Sequence, residues 1–217
     1  MRTRALGWLA GLALLAGLAV AFGYAPREAA QGNVQRIMYL HVPSILTAYL
    51  AFGLVLLGSI GYLATRRQAW DRLAASASEL GVLFTGVTIV TGSIWGKPTW
   101  GTWWTWDARL TSTAVLFLVY TGYLLLRGMV DEPERRGRYA AVVGIVGAAN
   151  IPIVHFSVKW WRALHQPSTI LGPEPSPIAA PIATALLVNW VAFTLLFVYF
   201  LARRIEIARL DDGAVDA

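Results

Sequence analysis

The chain has 217 residues, 57% of them hydrophobic and only 14% charged, and its mean hydropathy is +0.56. Soluble domains carry roughly a quarter charged residues, so a disordered chain, a collagen-like repeat and an ordinary soluble enzyme are all excluded. There is no cysteine, which removes disulfides, thiolate metal sites, iron–sulfur clusters and C-x-x-C-H cofactor attachment.

The apolar stretches predict an all-α membrane protein with six transmembrane helices, because only helices satisfy their own backbone polar groups in lipid. Each needs ~17–25 residues to cross the hydrocarbon layer. In chain order they are Leu6–Tyr24, about Val42–Thr65, about Leu73–Ile94 with Glu79 near one end, about Leu110–Leu126, about Tyr139–His155 with a possible extension to Val158, and about Ile178–Leu201. The first is too long for the apolar core of a cleaved signal peptide, and Pro26 sits badly near a cleavage site, so it is expected to stay as a helix. No internal repeat or second domain interrupts residues 1–217.

Charge sets the orientation. The ends and alternate loops on one side hold twelve basic residues: Arg2, Arg4, Arg66, Arg67, Arg72, Arg127, Arg135, Arg136, Arg138, Arg203, Arg204 and Arg209. The other side holds six: Arg27, Arg36, Lys97, Arg109, Lys159 and Arg162. The positive-inside rule therefore predicts both termini in the cytoplasm. The net charge of +6 is thus a topology signal, and nucleic-acid binding loses its support.

The outer loops, at about 25–42, 95–109 and 157–177, together with the helix end at His155 that adjoins the third, contain all three histidines and seven of the ten tryptophans. The second reads Trp95-Gly96-Lys97-Pro98-Thr99-Trp100-Gly101-Thr102-Trp103-Trp104-Thr105-Trp106-Asp107, with five tryptophans in its first twelve residues. An aromatic belt uses one or two indoles per helix end; five packed between helices three and four predict a ligand platform. Gly96, Pro98 and Gly101 read as turns. From Trp100 onward, helical spacing would place Trp100, Trp103, Trp104 and Asp107 on one face of an interfacial segment.

His41 opens the second span, with Pro43 suited to its first turn. His155 closes the fifth, and His165 follows in the third outer loop. A tetrahedral zinc site wants three or four ligands, and the outer side offers few beyond Glu28, Asp107 and Glu174. A porphyrin asks for one or two axial imidazoles, apolar walls and cations for its propionates. Arg36, Lys97, Arg109, Lys159 and Arg162 are candidates for the last role, though each also suits a snorkelling interfacial charge. Spacing alone leaves His155 and His165 both open as the second axial ligand beside His41.

The run from Trp95 to Asp107 resembles the tryptophan-rich "WWD" motif of bacterial haem-handling proteins in cytochrome c maturation. In length and helix number the chain resembles their six-helix branch, the haem exporter protein C (CcmC) family. Gln31-Gly32-Asn33, Met38 to Pro43, Asp107 to Ser112 and Asn150 through Thr169 also read like that family. The resemblance implies non-covalent haem b at the periplasmic face of the inner membrane, ligated by His41 and His165. Trp95, Trp100, Trp103, Trp104, Trp106 and Asp107 would form the platform. It also implies delivery to a periplasmic haem chaperone, together with an ATP-binding-cassette transporter pair and a small single-helix protein. No nucleotide-binding loop or nucleophile–base pair is present, so a transfer role is expected rather than an enzyme. The rival is a membrane b-type cytochrome in electron transfer, which needs two histidines buried within the helix bundle.

Overall fold

A computed structural model of the protein describes residues 2–165 and 178–215; Gln166 and the following residues of the third outer loop lie outside the described residues. All regular structure among the described residues is helical. Helix α1 (Arg2–Ala19) closes in one wide turn, Val20–Tyr24. A 3-10 turn (Val34–Ile37) feeds α2 (Met38–Thr65), followed by α3 (Gln68–Trp100), α4 (Ala108–Met129), α5 (Pro133–Ala148), α6 (Asn150–Trp160) and α7 (Ala180–Val215). Taken with the turns that extend them, they make six stretches long and apolar enough to cross a membrane.

Several boundaries differ from the expectation: α1, α2 and α3 start earlier, at Arg2, Met38 and Gln68, and α7 runs on to Val215 where the sixth span was expected to end near Leu201. The third span runs on from Ile94 to Trp100, with Pro98 inside its last turn, and stops only at Gly101, whose φ of 80° is left-handed. The fifth is two helices. Pro152 lacks an N–H and its ring crowds the carbonyl of Ala148 four residues earlier, and the helix breaks there, with Ala149 as the joint. Pro43 falls in the second turn of α2, since the 3-10 turn leads directly into Met38.

Apolar burial gives little drive between helices in lipid, where close packing of small residues takes over. The two-residue link Arg66–Arg67 folds α2 against α3 as the most extensive pair in the bundle. Ala48, Ala51, Ala74 and Ala77 are buried in the core of which this pair forms the centre. At Gly81 a side chain would collide with the Phe52 ring. Phe52 in turn stacks on Tyr120 of α4 at 3.8 Å and 11°, and the Tyr120 hydroxyl donates to the Gly144 carbonyl of α5 at 3.0 Å. Asn189 of α7 donates to the Gly17 carbonyl at 3.1 Å, tying on α1.

One end of the bundle is closed by charge. Arg127 of α4 grips Asp71 of α3 through two bonds of 2.7 Å, and Arg204 of α7 grips Glu79 of α3 at 2.5 and 2.6 Å. The other end, where α2 and α4 begin and α3 and α6 finish, carries the histidines and most of the tryptophans. Asp71→Ala should leave Arg127 uncompensated and lower stability by about 3–5 kcal/mol. Replacing both residues with leucine should recover most of that loss, as read by thermal unfolding in detergent.

Candidate functional site

The open end holds a cleft, and all three histidines line it. Its walls are mainly apolar, with Ile45, Leu46 and Tyr49 from α2, Ile89 from α3, Leu110 from α4 and Val154 from α6. Few polar groups among many apolar ones is the composition of a ligand site.

His41 lies one turn inside α2 and packs on α3. Its Nδ1 is 3.1 Å from the Thr88 carbonyl and 3.2 Å from the Thr91 hydroxyl oxygen. A carbonyl only accepts, so Nδ1 carries the hydrogen and Nε2 keeps a lone pair. Such a partner on the second nitrogen is how a metal-binding imidazole is oriented. The ring fits because position 92 is glycine: a Cβ there would lie 2.9 Å from His41 Cε1. Trp95 meets the ring edge-on at 5.7 Å and 76°. The indole is held by Gln31, whose Oε1 accepts from Trp95 Nε1 at 2.7 Å. Gln31 is placed by a turn in which the Glu28 carboxylate accepts from the Ala30 and Gln31 amides.

His165 comes to the same cleft from beyond the end of α6. Its ring sits tilted on Trp100 at 5.8 Å, and its Nδ1 is 3.5 Å from Arg109 Nη1. Arg109 also donates from Nη2 to the His155 carbonyl at 2.6 Å. His155 turns its ring to Tyr49 and Phe156. No side-chain hydrogen bond of His155 is among those described, so it is the backbone carbonyl of this residue, not the imidazole, that makes the structural bond.

The tryptophans divide. Trp95, Trp100 and Trp104 line the cleft, whereas Trp103 and Trp106 stand 57% and 79% exposed on the outside. The expected helical face from Trp100 to Asp107 does not form, because Gly101 ends α3 and Trp104 to Asp107 carry no regular structure. Asp107 caps α4, its Oδ1 accepting from the Leu110 amide at 2.9 Å. Its Oδ2 accepts from the Leu164 amide at 3.3 Å, so it ties the tryptophan segment to the approach of His165. Arg36 spends its guanidinium on the Ala21 and Ala25 carbonyls and on Asn33, pinning the end of α1. Lys97 is exposed and donates to the Gly101 carbonyl at 3.0 Å, Lys159 lies over Phe156, and Arg162 lines a separate shallow groove with Trp106 and Trp161. Of the five candidate cations, Arg109 is the one that lines the cleft.

Thr88, Thr91, Gly92, Gln31 and Tyr49 were not expected at the site. Thr88 acts through its carbonyl and Gly92 through a missing side chain, neither of which leaves a mark in composition. Among the described residues no group of three or more His, Cys, Asp or Glu side chains is placed to hold a metal ion. Two buried donors without partners, Trp104 Nε1 and Arg109 Nε, belong to cleft-lining residues, as they would in a site shaped for a polar-edged guest.

The model of the family described as heme exporter protein C matches residues 1–213. The chain belongs to the heme exporter protein C family. It is 42% identical over 214 residues to heme exporter protein C of Bradyrhizobium diazoefficiens, an alignment covering 96% of this chain and 81% of that one. To heme exporter protein C of Escherichia coli K12 it is 41% identical over 173 residues, covering 78% and 71%. A putative cytochrome c biosynthesis ccmC-like mitochondrial protein of Marchantia polymorpha is 42% identical over 146 residues, 67% of this chain and 61% of that one.

Within this family member, Gly92→Ala tests the seat of His41. The added methyl should turn the ring off Thr88, and overpacking should cost about 1–3 kcal/mol. Nitrogen-15 spectra of histidine-labelled protein should show Nδ1-protonated His41 in the wild type and a mixture of tautomers in the variant.

Proposed function

We propose that this protein binds haem non-covalently, as haem b, at the periplasmic face of the bacterial cytoplasmic membrane and delivers it to a periplasmic haem chaperone during c-type cytochrome maturation. The observation that carries this reading is the meeting of His41 and His165 in one apolar cleft, each ring seated on a tryptophan of α3, with His41 Nε2 left to bind a metal. Haem is the cargo, and its iron takes two axial nitrogens while its propionates take cations.

Each residue then has a role. His41 is the prepared ligand and His165 the second. Trp95 and Trp100 hold the two rings in place, and Trp104 offers an indole wall with a spare N–H. Arg109 is the cation nearest the site. Trp103 and Trp106, exposed beside the mouth, are placed to meet the acceptor, and Arg162 lies on the same outer face. The periplasmic location rests on the charge count, since the cleft lies at the end opposite the basic loops. The absence of cysteine accords with a ligand that must leave again. An ATP-binding-cassette pair and a small single-helix protein are the proposed partners, and any use of ATP belongs to them, because this chain has no phosphate-binding loop. The rival electron-transfer reading is weaker because His165 lies past the end of α6 rather than within a span.

The test is an absorption spectrum of the purified protein after co-expression with ample haem supply. The wild type should show a low-spin, two-histidine spectrum. His41→Ala and His165→Ala should each lose it, and His155→Ala should keep it. Loss in His155→Ala with retention in His165→Ala would overturn the ligand assignment.

A further inference from the structure

A second, shallow groove runs between α4 and α6, outside the cleft. Trp106 and Asp107 line it where α4 begins, and Trp161 and Arg162 line it just beyond α6. Val115 and Ile153 line it as well, 44% and 40% exposed. Val115 is two turns further into α4 than its first residue, about 10 Å along the axis. The groove therefore joins the level of the helix ends, where tryptophans and cations meet headgroups, to the level of the hydrocarbon. Its lining carries one guanidinium, Arg162, and one carboxylate, Asp107. Asp107 accepts from the Leu110 and Leu164 amides, but a carboxylate has about four lone-pair sites, which leaves room for another donor. No ion pair between Asp107 and Arg162 is among those described. Trp106 and Trp161 beside them are exposed indoles. On the α4 wall, Thr111 Oγ1 is buried without a hydrogen-bond partner.

We propose that this groove seats one zwitterionic phospholipid, its phosphate on Arg162, its ammonium between Asp107 and the two indoles, and the start of an acyl chain on Val115 and Ile153. Each part follows from charge and depth. A guanidinium binds phosphate through paired, charge-assisted hydrogen bonds. An ammonium is attracted both by a carboxylate and by the face of an indole. An anionic headgroup without an amine would satisfy Arg162 but bring its charge up to Asp107, so one cation and one anion in the same groove select a headgroup carrying both. Thr111 lies one turn below Asp107, the depth of the glycerol esters, and a threonine in a helix has two accessible rotamers, one of which gives its hydroxyl an ester carbonyl as acceptor. The groove adjoins the cleft without being part of it: Trp106 meets Trp104, a cleft residue, edge-on at 5.7 Å and 78°. The proposal does not rest on the haem reading and stands or falls without any porphyrin bound.

The experiment is native mass spectrometry of the full-length protein, delipidated in detergent and titrated with dioleoylphosphatidylethanolamine or dioleoylphosphatidylglycerol. The wild type should retain one molecule of the ethanolamine lipid in preference to the glycerol lipid. Arg162→Gln should weaken that retention about tenfold, as loss of a charge-assisted hydrogen bond implies. Val115→Trp, which fills the inner part of the groove at an exposed position, should weaken it similarly while leaving the far-ultraviolet circular dichroism unchanged. Arg27→Gln, which removes another exposed cation from the same side, should leave it unchanged. Free phosphoethanolamine at the same concentration should not compete, because it has no acyl chain to lay on Val115 and Ile153. Equal retention of the two lipids, or a preference for the glycerol lipid, would overturn the assignment of a zwitterionic headgroup. A ladder of lipid adducts insensitive to Arg162→Gln and Val115→Trp would show annular lipid only and overturn the site. Competition by free phosphoethanolamine would overturn the lipid as its occupant.

Discussion

An imidazole placed inside an apolar helix pair must find a hydrogen-bond partner, and the bond from His41 to the Thr88 carbonyl is the constraint on which the rest of the site depends. Burying a polar group without one costs several kcal/mol. The Thr88 carbonyl is reachable because α2 and α3 approach closely at Gly92, and they approach there because the tight Arg66–Arg67 link and the Gly81–Phe52 contact set the pair from its other end. One local bond thus fixes the ring's orientation, its tautomer and the nitrogen it presents.

The two ends of the bundle solve different problems. At one, the buried Asp71 and the half-exposed Glu79 of α3 are paired with arginines of α4 and α7, which ties three helices together. At the other, all three histidines line one cleft, and two buried donors of cleft-lining residues, Arg109 Nε and Trp104 Nε1, have no hydrogen-bond partner. Unmatched buried polar groups are costly, and a guest with polar edges in the cleft would give these two donors a partner. Asp107 links the parts, since one carboxylate caps α4 and also holds the segment that carries His165.

Much of this was legible in the sequence. Six spans follow from apolar length, and the gathering of histidines and tryptophans at one end follows from their places in the loops. The misses have physical causes. Gly96 and Pro98 look like turn residues, yet both lie inside α3, which ends only at the left-handed Gly101. Pro152 divides the fifth span because its effect falls four residues upstream, on Ala148. Arg36 looked like a ligand-facing cation, but unsatisfied carbonyls at the end of α1 claim it. The indole-rich run gave no sign of which rings face inward, because Gly101 breaks the helical periodicity on which that reading rested.

The central claim is that His41, held by Thr88, is the iron ligand inside the cleft. A cryo-electron microscopy map of the haem-loaded protein tests it most directly. The account predicts porphyrin density within the cleft, with iron on His41 Nε2 and Nδ1 still on the Thr88 carbonyl. Porphyrin lying outside, against Trp103 and Trp106 with His41 unligated, would contradict it.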